Sequence, residues 1–253
     1  MYHSIIFTEL VNGTPTGGKN TWADWYLIPS SRPVFNPPAP KTKYVEIPGA
    51  DFHLDLSTSL TGEMTYEGRQ GTLDFIVDNG QLSNYHANQW SVLYSDIMDY
   101  LHGKLMRATL EDDPYFCYEG RFSVNSWKSN EHNSEISINY IVSPYKYETN
   151  SSLEDWKWDT FNFEHGIIRE YKDLRVDGSL DFVIIGRKMA VTPTFEIKLD
   201  NLFEKMEVVF NGNTYTLSEG TSRIVDIRTV SGNNYLTFKG NGTVSIDYRG
   251  GCL

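Results

Sequence analysis

The sequence is poor in cysteine, in positive charge and in long apolar runs, and each shortage excludes a class of protein. Only two cysteines, Cys117 and Cys252, occur in 253 residues. They lie far apart with no C-x-x-C spacing, which argues against a disulfide-stapled extracellular domain and against a structural zinc site. Synthesis in the cytoplasm is expected. Lysine and arginine total 22 against 33 acidic residues, for a net charge of −11. The basic residues are scattered, so there is no electrostatic footprint for nucleic acid or for an anionic membrane. No run approaches the roughly eighteen apolar residues of a spanning helix. The N-terminal stretch also lacks the charged, apolar, small-residue order of an export signal, so a soluble chain is expected. No Gly-x-Ser-x-Gly elbow, phosphate-cradling loop or His-Glu-x-x-His helix occurs. A non-enzymatic protein with no cofactor and no metal is therefore expected.

What the chain has in quantity is aromatic residues, with 16 tyrosines and 13 phenylalanines in a composition that is 40% hydrophobic. Aromatic side chains, with Val, Ile and Thr, suit a pleated, half-buried surface, and the total is ample for one large or two smaller cores. A mainly β protein follows. Gly13 to Gly18 and the proline-rich Pro29 to Pro40 exclude helix and central strand and are expected as loops or extended arms. Lys43 to Ile47 alternates as a strand does. One helix is expected over Asn88 to His102, where Trp90, Leu93, Ile97 and Leu101 recur at spacings of three and four and Gly103 supplies the stop. Lys104 to Leu110, Tyr115 to Ser126 and Glu135 to Val142 then read as antiparallel strands ended by Pro144.

The polar stretch Glu148 to Asp155 is the best candidate for a linker, giving domains 1–147 and 148–253. Beyond it, strand-like runs cover Asp159 to Phe163, Leu180 to Ile185, Thr194 to Leu199, Met206 to Phe210, Thr214 to Leu217, Arg223 to Asp226, Tyr235 to Lys239 and Thr243 to Tyr248. Asn211-Gly212-Asn213, Ser231-Gly232-Asn233-Asn234 and Lys239-Gly240-Asn241-Gly242 read as hairpin turns because they supply residues tolerant of positive φ. This rhythm is that of a β-sandwich, jelly-roll or galectin-like.

Three constellations invite a chemical reading. Asp51-Phe52-His53-Leu54-Asp55 places two carboxylates and an imidazole on one face of a strand; a solvated face opposite Phe52, Leu54 and Leu56 is the plainer reading. Glu111-Asp112-Asp113 reads as an acidic hairpin turn, with Asp112 the carboxylate a wall-degrading hydrolase would need. Trp156 and Trp158, with Phe161 and Phe163, either fill an inter-sheet core or offer a platform on which sugars stack.

Several patches resemble the distal tail protein family of phages that infect Gram-positive hosts. They are Phe7-Thr8; Gly18-Lys19-Asn20-Thr21-Trp22-Ala23-Asp24-Trp25; Leu27-Ile28-Pro29-Ser30-Ser31-Arg32-Pro33; Lys43 to Asp51; Leu54-Asp55-Leu56; Tyr66 to Phe75 with Arg69 and Gly71; and Ile246 to Gly251. The chain departs from the pattern at Phe52-His53, where a small turn residue is expected. The resemblance implies an N-terminal belt domain with one helix that closes a homo-hexameric ring continuing the tail tube, followed by a galectin-like sandwich. It implies a place at the tail tip of the virion, with the tube protein and tail-associated or receptor-binding proteins as partners. Trp22, Trp25, Arg32 and Tyr44 are the expected assembly contacts, since aromatics and arginine are enriched at interfaces. A carbohydrate-binding module using Trp156 or Trp158 is the alternative.

Overall fold

In a computed structural model the described residues are 3–60, 62–78, 89–129, 133–155, 158, 161, 163–164, 166–201 and 204–253. The chain divides into two compact units. The first is Met1–Asp113 with Cys117–Lys146, and the second is Pro114–Phe116 with Tyr147–Leu253. The fold is mainly β, with one named helix among the described residues.

The first unit is built from β1 (Ile5–Val11), β2 (Thr14–Asn20), β3 (Leu27–Pro29), β4 (Tyr44–Glu46), β5 (His53–Asp55), β6 (Arg69–Asp78), α1 (Gln89–Leu101), β7 (Leu105–Leu110), β8 (Asp113–Ser129) and β9 (Asn133–Val142). Seven of these strands lie side by side in the order β2-β1-β7-β8-β9-β6-β3, each pair antiparallel. The expected helix is present, and Ile97 and Leu101 on its apolar stripe are fully buried. Gly103 ends it with a positive φ of 75°, which a residue with a side chain rarely adopts. Around the stripe pack Phe7, Phe75, Phe122 and Ile138.

Two sequence expectations change here. Of Gly13 to Gly18, expected as a loop or extended arm, Thr14 to Gly18 form most of β2. It tolerates its proline and glycines because it is an edge strand and wholly exposed up to Lys19. Asn12-Gly13 forms the two-residue turn that joins it to β1, with both residues at positive φ. In Asp51 to Asp55 only His53–Asp55 is strand, paired with β4 in a separate two-stranded hairpin, and Phe52 and Leu54 are exposed and not core-facing.

The second unit contains β10 (Lys146–Glu148, entered at Tyr147), β11 (Leu174–Gly186), β12 (Thr194–Leu199), β13 (Met206–Phe210), β14 (Asn213–Leu217), β15 (Gly220–Ser222), β16 (Gly232–Asp247) and β17 (Gly251–Cys252). Glu148 to Asp155 is no linker, because Glu148 and Ser152 are 2% and 4% exposed within this unit. Asn211-Gly212 does make a tight turn, between β13 and β14. Lys239 to Gly242 does not: Tyr235 to Lys239 and Thr243 to Asp247 belong to one continuous strand, β16. Residues 236–239 pair with both β11 and β13, and 242–244 with both β11 and β12. One edge of β16 is thus lined by β11 while the other passes from β13 to β12. Gly240 and Gly242, at φ 135° and 151°, sit at that changeover, where Cβ atoms would press on the backbone of Lys205 and Lys198. Their positive φ falls within a strand and not in a turn. Arg223 to Asp226 is a turn and not a strand, and of Asp159 to Phe163 only Phe161 and Phe163 lie within the described residues.

Candidate assembly surfaces

The proline-rich arm of the first unit is ordered by a few specific contacts. Phe35 is buried and stacks on Tyr118 at 4.0 Å between ring centres, with Tyr140 edge-on at 4.7 Å. The Asn36 N–H donates to the Tyr140 hydroxyl at 2.8 Å, and the Asn36 side-chain amide donates to the Gln70 carbonyl at 2.8 Å. Arg69 reaches the Asn36 carbonyl with Nη1 and the Pro144 carbonyl with Nε, at 3.1 and 2.9 Å. Gly71 leaves room for this junction, since a Cβ there would lie 2.5 Å from the Tyr140 oxygen. Arg69 and Gly71, two of the residues that carry the family resemblance, therefore hold the arm down.

Beyond the arm the hairpin of β4 and β5 has no buried residue. Phe52 is 65% exposed and the following Leu60 98%, with Tyr44, Val45, Ile47 and Leu54 also exposed. A two-stranded hairpin carrying this much apolar surface is marginal on its own in water, and exposed apolar surface on this scale marks a binding surface. Fully covering each such side chain stabilises by roughly 1.5–3 kcal/mol.

Of the expected assembly residues, Tyr44 lies on this hairpin. Arg32 is exposed, but its Nε donates to Asp112 at 2.8 Å. Trp22 is half-buried, edge-on to Tyr26, in a turn whose Trp22 and Ala23 N–H groups donate to the Asn20 side chain. Trp25 is 3% exposed and packs against Phe7 and Tyr100, so it belongs to the core. Asp112 also accepts from His3 Nδ1 at 2.9 Å, while Glu111 accepts from the Ser4 N–H at 2.8 Å. The acidic turn thus fastens the N-terminal segment. The His3 hydrogen bond, against the cost of burial and with help from Arg32, holds the Asp112 carboxyl below the usual range. A carboxylate so held is the wrong state for a general acid.

The second unit has a buried ionic centre. Glu148 Oε2 accepts from Arg169 Nη1 at 2.5 Å and from the Gly250 N–H at 2.8 Å; Oε1 accepts from Arg187 Nε at 2.5 Å and from the Tyr115 hydroxyl at 3.3 Å. Arg169 lies over the Tyr248 ring and Arg187 over Phe116. Burial raises the Glu148 pKa, but the two guanidinium groups more than offset this and hold it below the ordinary glutamate value. Nearby, Trp158 and Phe163 are 65% and 66% exposed and meet edge to face at 5.0 Å, so they are not core. Trp156 lies outside the described residues. Among the described residues there is no group of three or more metal-ligating side chains, and no helix long and apolar enough to cross a membrane.

No protein-family model matches the chain, and no curated protein matches it in sequence. In structure, the architecture is similar to that of a bacteriophage hub protein along nearly its whole length. That protein is the Dit of phage SPP1, described as a paradigm of the hub adsorption apparatus in phages infecting Gram-positive hosts. The likeness covers 96% of this chain and 98% of that one, with a TM-score of 0.54 and 13% identity. At that identity the likeness establishes a shared fold.

Proposed function

We propose that the protein is a non-enzymatic structural component of a phage tail tip. Its first unit closes a hexameric ring that continues the tail tube, and its second unit, a galectin-like domain, docks tail-associated or receptor-binding proteins. The observation that carries this reading is the bare apolar hairpin of β4 and β5 on a fold shared with a phage hub protein. Such a hairpin is stabilised when a neighbouring copy covers it, and a closed ring covers every copy alike. The outer edge of β2, which pairs with no other strand among the described residues, is a second surface on which a neighbour adds strand to strand. Tyr44 and Arg32 belong to the proposed contact, with Trp22 at its margin.

The test is the molar mass of the purified chain by light scattering after size exclusion, alone and with recombinant tube protein, followed by negative-stain imaging. A six-membered ring that falls to monomer in the Phe52→Asp, Leu54→Asp double variant, without loss of melting temperature, is the expected result. A chain that stays monomeric in both settings overturns the reading. The exposed pair of Trp158 and Phe163 favours one second reading, a carbohydrate-binding module. A glycan array of wall polysaccharides, silent for the wild type or unchanged by Trp158→Ala, removes it.

A further inference from the structure

In a chain of net charge −11, three arginines gather on one open groove of the second unit. The groove, of about 560 Å³, is lined by Arg223, Arg228 and Arg249 with a single carboxylate, Asp247, and its apolar lining includes Tyr147, Met189 and Val225. Three positive charges against one negative leave a local balance of two positive charges. The turn that carries two of the arginines is held rigidly. Ile227 and Thr229 are fully buried, and the Thr229 N–H and hydroxyl both donate to the Val191 carbonyl at 2.8 Å. Burying Ile227 and Thr229 leaves Arg223, Val225 and Arg228 exposed, with Val225 79% exposed. Across the groove, Arg249 is fixed by its Nε bond to the Glu148 carbonyl at 2.9 Å and by lying over the Tyr147 ring. Arg223 and Arg228 form no ion pair or hydrogen bond among the described residues.

We infer that this groove binds an extended peptide segment of a partner protein that carries carboxylates between aliphatic side chains. Guanidinium groups held in place match carboxylates in planar, two-pronged geometry, and Tyr147, Met189 and Val225 receive the aliphatic side chains. A bare anionic polymer fits less well, because it covers none of that apolar surface. The inference names a surface and a partner chemistry for the docking role proposed above. It stands on the second unit alone and does not depend on ring closure.

The test is fluorescence anisotropy with the full chain and a labelled hexapeptide of alternating glutamate and leucine. The comparison probes are the lysine–leucine counterpart and poly(glycerol phosphate). The glutamate peptide is expected to bind, more weakly as salt is added. The Arg223→Glu, Arg228→Glu variant should weaken it about tenfold or more, whereas Lys172→Glu, Lys205→Glu, an equal charge change on exposed lysines of the same unit, should leave it nearly unchanged. Melting curves check that each variant is folded. No binding of the glutamate peptide, equal loss in both variants, or tighter binding of poly(glycerol phosphate) overturns the inference. Ring formation is read separately from molar mass, so failure of one proposal does not mimic failure of the other.

Discussion

Replacing Glu148 with glutamine removes one charge and almost no volume, and the structure sets what that charge is worth. Glu148 is 2% exposed, and its single carboxylate is shared by two guanidinium groups whose side chains are themselves 6% and 13% exposed. Without it, the buried guanidinium groups of Arg169 and Arg187 lose the carboxylate they share, and breaking a buried ion pair in this way typically costs about 3–5 kcal/mol. Because the amide keeps part of the hydrogen bonding, the lower end, about 3 kcal/mol, is expected. For a unit of this size that lowers Tm by roughly 10–20 °C. Scanning calorimetry of wild type and Glu148→Gln reads the shift, which should fall on the second unit's transition alone. The pH dependence supplies an independent check. The folded-state pKa of Glu148 is depressed, so its contribution is fully present above the ordinary glutamate value and is lost as pH falls through that value toward the folded one. The gap between the two proteins should therefore be widest near neutrality and close at acid pH. A shift under about 1 kcal/mol at pH 7, or a gap that does not change with pH, would refute the account of the centre as a buried ionic cluster.

Two further substitutions test how the arm is held. Phe35→Ala removes the ring stacked on Tyr118 and should destabilise the first unit by about 3–5 kcal/mol in urea unfolding; a change below about 1 kcal/mol would show that the arm is not anchored there. Gly71→Ala places a methyl group against the Tyr140 hydroxyl and should cost about 1–3 kcal/mol. In amide exchange the Asn36 N–H should lose protection in that variant, and unchanged protection would count against the junction as described.

What could be read from the sequence follows from the range of the interactions involved. Helix α1 and strands β7 to β9 are set by neighbours a few residues apart, and the positions of Ile97, Leu101 and Gly103 declare them. The tight turn at Asn211-Gly212 is equally local. Gly240 and Gly242 have the same composition as a turn, yet the strand runs on, because what it must accommodate is a change of partner that only the folded sheet defines. The Glu148 centre left no trace in the sequence. Its partners Arg169, Arg187 and Gly250 lie 21, 39 and 102 residues further along, and a lone glutamate at the start of a polar stretch looks like a linker. The acidic turn was recognisable as a turn, but its hold on Ser4, His3 and Arg32 was not. The aromatics from Trp158 to Phe163 resemble core by composition, and only their exposure separates the two readings.

The long strand β16 also has a consequence for the order of events during synthesis. β11, β12 and β13 all pair with it, and it is made after all three. As the chain leaves the ribosome, the strands β11, β12 and β13, between Leu174 and Phe210, emerge before their common partner exists. Among the described residues, the pairings open to them in that interval are the hairpin of β13 and β14 and the contact of β12 with β15. The second unit is thus committed late, while the seven side-by-side strands and the helix of the first have all been made by Val142.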